Sequence, residues 1–179
     1  MRARPPPYNV YVQRSLAAIL AIGALCWSAI LFVAPFALTS GSPRLAAAAA
    51  ALYGGAGLIC HQRAERSFYV AGVQQPVCAR CAGLYGSAAA GSLAAWIVWR
   101  RPRAPRRTRR VLVLAAAPTA LSVLLELAGF AHPSNTVRAM CALPLGGAAA
   151  WVVIQSLRAE AAEARRFGQA RQATRWDAL

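Results

Sequence analysis

The run SLAAILAIGALCWSAILFVAPFAL, from Ser15 to Leu38, contains no charged side chain. A helix rises 1.5 Å per residue, so this stretch is long enough to cross a bilayer. Its basic lead-in, MRARPPPYNVYVQR, resembles the start of a signal peptide. The apolar run is longer than the roughly 7–15 residues of a signal-peptide core, which favours a retained anchor. Three more apolar stretches of spanning length follow, at about Ala82–Trp99, Val111–Ala131 and Val137–Leu157. A weaker one, Leu45–Ile59, is short and broken by Gly54, Gly55 and Gly57.

Composition agrees. The chain of 179 residues is 58% hydrophobic and only 14% charged, against about a quarter charged in soluble domains. The charges are clumped, which leaves long stretches free of them. The net charge is +15, and all twenty basic residues are Arg. Absence of Lys excludes Schiff-base chemistry. A chain this basic raises nucleic acid as a partner, but the arginines flank apolar segments instead of forming one basic face. The expected partner is the lipid bilayer, with no nucleic acid and with no protein partner indicated.

Charge asymmetry orients the spans. Basic residues beside spans stay in the cytoplasm. The loop RRPRAPRRTRR, Arg100–Arg110, is the strongest such signal, and Arg2, Arg4, Arg14, Arg158, Arg165, Arg166, Arg171 and Arg175 add to it. Five crossings would separate the termini. Making Leu45–Ile59 interfacial or re-entrant leaves four and puts both termini inside. The expected fold class is an all-α integral membrane protein, with about four transmembrane helices and one short interfacial or re-entrant helix. Residues 1–14 form a basic cytosolic N-terminus, 15–157 the membrane domain and 158–179 a basic cytosolic tail. The expected location is a bacterial plasma membrane. Ser87 with Gly91, and Gly146 with Gly147 and Ala150, offer small residues for close helix contact. Pro118 and Pro144 are expected to bend their helices, and Trp96 and Trp99 to sit in the interfacial belt.

Chemistry concentrates in the loop 60–81, CHQRAERSFYVAGVQQPVCARC, which this topology puts on the outer face. Cys78 and Cys81 form a CxxC, which turns two thiols to one side and suits a metal or a disulfide. Cys60 and His61 precede them across sixteen residues. Cys60, His61, Cys78 and Cys81 make a candidate Cys3His set for a transition metal ion, zinc above all, with copper or iron also compatible. Because Cys60 and His61 are adjacent, their side chains diverge unless the chain turns sharply; His61 is then a close partner to the thiols. Two other readings stay open. One is thiol–disulfide exchange at the CxxC, with Arg80 lowering the thiol pKa. The other is a static disulfide that staples the loop. Cys26 and Cys141 read as small buried hydrophobes.

Glu126, in LSVLLELAGF, is the one acid within a span, and an ionisable group in a bilayer marks function by default. Arg138 opens the next helix at similar depth, so the two are expected to pair, with Glu126 alternatively facing the Cys/His loop. Glu65 and Arg66 read as a local ion pair or as support for His61. Arg66, Arg80, Glu126 and Arg138 form the expected polar shell. His132 and Asn135 share that end, and Asn135 reads best as a helix N-cap.

The segments ICHQRAERSF, PVCARCAGLYGS and SNTVR followed by LPLGG resemble DUF2085, a bacterial family of uncharacterised small membrane proteins. The resemblance covers roughly Leu58 to Gly147. The family pattern falls on Cys60, His61, Gln62, Arg66, Ser67, Cys78, Arg80, Cys81, Gly83 and Tyr85, then on Glu126, Asn135 and Arg138. The family usually has Asp where Glu126 stands, and Thr-Gly where this chain has Cys141 and Ala142, a departure that bears on how the last helix packs. The resemblance implies a shared site and assigns no reaction.

Overall fold

The computed structural model describes residues 9–98 and 105–176. Among the described residues there are five helices and one β-hairpin: α1 Asn9–Leu38, α2 Pro43–Gly57, β1 Ser67–Val70, β2 Val73–Cys78, α3 Ala79–Ile97, α4 Pro105–Leu127 and α5 Asn135–Trp176. A single 3-10 turn, Ala64–Arg66, leads into β1. The expected basic signals at Arg2, Arg4, Arg100, Arg101 and Arg103, and Trp99, lie outside the described residues.

Among the described residues, three helical segments are long and apolar enough to cross a membrane: Tyr11–Leu38, Arg106–Leu127 and Asn135–Ala162. The expected span at Ala82–Trp99 is helical, as α3, but is not one of the three. Arg80 in its first turn, with its glycines and serines, lowers its hydropathy. Those small residues serve contact with α5. A Cβ on Gly83 would lie 2.9 Å from the Ala139 carbonyl carbon, one on Gly91 2.9 Å from Gly147 Cα, and one on Gly146 2.9 Å from the Leu84 carbonyl carbon. Real Cβ atoms do not approach backbone so closely, so each of these positions needs glycine. The two helices therefore meet backbone to backbone over several turns. Ala142, where the family pattern departs, is buried.

The hairpin corrects the all-α expectation. Val70 pairs with Val73 around Ala71 and Gly72, whose φ angles are +50° and +77°. Two positive φ values in a two-residue loop match the twist of the strands they join. The pairing then slips between Ser67 and Tyr69, opposite Pro76 of β2. Proline has no N–H to donate to a ladder, so an irregularity is expected beside it. The signal was present in the SFYV run before an Ala-Gly turn, but it is short and sits among helical patterns.

Two apolar clusters hold the bundle. One joins Leu31, Ala56, Cys60, Val77 and Cys78, with Trp27 and Tyr85 packed on it. The other joins Ala17, Ala21, Ala95 and Ile154, with Trp96, Trp151 and Leu157 packed on it. At the second, Arg158 sits over the Trp96 ring, 4.6 Å from its centroid, and bonds the Ala95 carbonyl. Gln155 donates to the Val98 carbonyl at 2.6 Å, so α5 side chains cap the end of α3.

Candidate metal centre

The strand, the turn and α3 bring the thiols together. The chain leaves α2 through a turn in which Cys60 N donates to the Ala56 carbonyl at 2.9 Å. Gln62 then adopts φ +48°, a left-handed conformation that disfavours a side chain. Its own amide offsets that cost by donating to the Tyr53 carbonyl at 2.7 Å and the Pro76 carbonyl at 2.8 Å. Gln74 closes the same loop by donating to the Gln62 carbonyl at 2.7 Å. The sharp turn that adjacent Cys60 and His61 require is thus built by Gln62, and it sends the two side chains apart.

Cys60 goes inward. Its Sγ accepts a hydrogen bond from the Cys78 backbone N–H at 3.1 Å. Cys78 ends β2 and is the N-cap of α3, and Cys81 lies in the first turn of that helix. The Sγ atoms of Cys60, Cys78 and Cys81 lie within 4.8 Å of one another, a group able to hold a metal ion. Cys60 and Cys78 are buried and Cys81 half-buried. His61 is exposed and not part of that group; its Nδ1 accepts from the Arg63 backbone N–H at 3.1 Å. A neutral imidazole accepting at Nδ1 carries its proton on Nε2, so neither nitrogen presents a lone pair to the thiols.

All five cysteines are free thiols. Hydrogen bonding from Cys81 pulls the Cys78 thiol down to about 5, against its burial, with lesser help from Cys60. Arg80, expected to act on the CxxC, does not figure among those causes. Its guanidinium reaches across to α4. Cys26 corrects a second expectation: it is exposed, on the outside of α1, while Cys141 is half-buried.

Beside the thiols, three arginines meet on one carboxylate. Arg80 Nη2 lies 2.6 Å from Glu126 Oε2, while Arg138 Nη2 at 2.9 Å and Arg66 Nη2 at 3.0 Å share Oε1. The Glu126 side chain is only 6% exposed. The expected Glu126–Arg138 pair is present, but Arg66 points to Glu126 instead of pairing locally with Glu65. The linear sequence places Glu65 next to Arg66; only the hairpin's return shows where Arg66 points. Asn135 is not the N-cap of α5. Ser134 is, its hydroxyl accepting from Val137 N at 3.3 Å. Asn135 instead donates to the Ser67 carbonyl at 2.9 Å and accepts from Arg138 Nη1 at 2.8 Å, tying α5 to the hairpin. His132 is exposed.

A family model described as a predicted membrane protein, DUF2085, matches residues 60–152, just over half of the chain. The chain belongs to this family. The matched segment opens on Cys60 and takes in every residue of the thiol group and of the arginine cluster. An uncharacterised protein of Methanothermobacter thermautotrophicus is 33% identical over 88 residues, which cover 49% of this chain and 78% of that protein. An uncharacterised protein of Methanocaldococcus jannaschii is 31% identical over 87 residues, covering 49% of this chain and 56% of that protein. Both relatives are archaeal, so the likeness extends beyond bacteria. No solved structure matches.

Proposed function

We infer that this chain is a multi-pass plasma-membrane protein that holds a transition metal ion on three thiolates, Cys60, Cys78 and Cys81, at the outer end of its helical bundle. The observation that carries this reading is the convergence of three sulfurs within 4.8 Å. Tetrahedral zinc with Zn–S bonds of about 2.3 Å sets its sulfurs about 3.8 Å apart. The group therefore needs to close by about 1 Å at most to grip zinc. Copper(I) is the other ion that soft thiolates favour. Three protein ligands leave the fourth position open, and His61, exposed and bonded to its own loop, would have to turn inward to fill it. Arg66, Arg80, Glu126 and Arg138 form the polar shell.

In this reading α1, α3, α4 and α5 cross and α2 lies in the interface. The nineteen residues of α3 cover about 28 Å, near the roughly 30 Å of a hydrocarbon core. The basic loop 100–110 supports cytosolic termini, with residues 1–14 and 158–179 flanking the membrane domain.

Elemental analysis of protein purified in mild detergent tests the site, paired with thiol counting by mass spectrometry. Near-stoichiometric metal that is lost in Cys78→Ser is the expected result. Equal metal content in the variant would remove the proposal. A second reading, thiol–disulfide exchange, is favoured by the lowered Cys78 thiol. It predicts a mixed disulfide with a partner protein, trapped on Cys78 in a Cys81→Ser variant.

A further inference from the structure

The arginine cluster is not accounted for by the metal site, and its charge does not balance. Arg66, Arg80 and Arg138 bring three positive charges to one Glu126 carboxylate. The chain has five acidic residues, and three of them, Glu160, Glu163 and Asp177, lie in the last twenty residues. Glu160 alone is roughly 33 Å from Arg138 along α5 at 1.5 Å per residue. Glu65, exposed on the 3-10 turn, is the one other carboxylate in this half of the molecule.

Helix ends add to the excess. Arg80 and Arg138 lie in the first turns of α3 and α5, where the helix already carries partial positive charge. Cations there are not placed for helix stability. The arginines also retain donors. The Nε atoms of Arg80 and Arg138 are buried and have no hydrogen-bond partner, and Arg138 is only 8% exposed. Buried donors without partners in an otherwise bonded network call for an acceptor. Arg66, with its side chain 28% exposed, leaves one side of the cluster open.

The geometry points to an oxyanion site of the phosphate class, framed by Arg66, Arg80 and Arg138, with Glu126 as the internal anchor that orders them. A phosphate group supplies the missing negative charge and accepts from guanidinium forks in their preferred planar geometry. It also suits two helix N-termini. The anion is either free phosphate or a phospholipid headgroup entering from the bilayer beside α4 and α5. The site does not depend on the thiolate reading.

Two titrations test it on the full chain in mild detergent. One uses inorganic phosphate, followed by calorimetry; the other follows retention of phosphatidylglycerol against phosphatidylcholine by native mass spectrometry. Saturable binding of phosphate, or selective retention of phosphatidylglycerol, supports the site and names the source. Arg66→Gln is expected to weaken that binding roughly tenfold or more, since one charge-assisted pair is lost. Arg66→Lys, which keeps charge and loses the fork, serves if Arg66→Gln does not stay monodisperse, and is expected to weaken it less. Cys78→Ser should bind the anion as the native chain does, which separates this site from the metal. Neither anion binding the native chain, or equal binding in both Arg66 variants and the native chain, overturns the proposal.

Discussion

The backbone N–H of Cys78 donates to the sulfur of Cys60 at 3.1 Å, joining the end of α2 to the start of α3. The bond means that the loop between them is fixed at both ends before any metal arrives.

Metal removal should therefore loosen the protein without unfolding it. Bound ion at a thousand times its Kd adds about 4 kcal/mol of stability. Chelation is expected to lower the Tm of the native chain in detergent. The Tm of Cys78→Ser should not respond to chelator.

Cys78 reactivity should titrate low. Its thiol is pulled from the usual 9.0 down to about 5. Between those values the folded state holds fewer protons than the unfolded one. Stability from this group is then fully present above about pH 9, rises with pH across the window, and is lost as pH falls through about 5. Alkylation of metal-free protein, followed at Cys78 by mass spectrometry, should reach half its maximal rate near pH 5. In Cys81→Ala the midpoint should move up toward the ordinary thiol range, because the hydrogen bond from the Cys81 side chain is the largest lowering cause.

Glu126→Gln should be costly. It removes the single carboxylate that three guanidiniums share and leaves like charges facing one another in a largely enclosed place. Breaking a buried pair in this way costs about 3–5 kcal/mol. Thermal unfolding of the variant in detergent gives the value. The loss should be smaller when Arg66→Gln is combined with it, since one uncompensated charge goes too.

The α3–α5 contact should be intolerant of a single methyl group. Gly83→Ala and Gly91→Ala place a Cβ into the backbone of α5, where overpacking costs about 1–3 kcal/mol or more. Gly54→Ala in α2 meets nothing within 4 Å and serves as the control, expected near neutral or slightly stabilising. Paired Tm measurements compare the three.

Much of the architecture was legible because apolar length and charge clumping are one-dimensional signals. α1, the spanning part of α4 and the first part of α5 fall where the apolar runs lie. The CxxC declares its own proximity, since two thiols three residues apart share a side. Long-range partners were not readable in this way. That Cys60 turns in and His61 out depends on the left-handed Gln62 and on the Tyr53 and Pro76 carbonyls that hold its amide. Arg66 needed the hairpin, whose four-residue first strand is too short for a period to register. Asn135 was misread as a cap because its amide is used across the molecule, on Ser67, and not on its own helix. For α3 the sequence offered Gly91 for helix contact, but not that Gly83 also meets the backbone of α5.

The glycine contacts between α3 and α5 do more than seat two helices. Gly83 lies three residues after Arg80 and meets Ala139, the neighbour of Arg138. The gap between those two like charges is therefore set by main chain touching main chain, and side-chain repacking has no slack with which to widen it. The pair behaves as the fixed jaw of a clamp. Arg66, carried on a loop, is the movable jaw, and a shift of the hairpin changes the grip of the cluster while the bundle stays where it is.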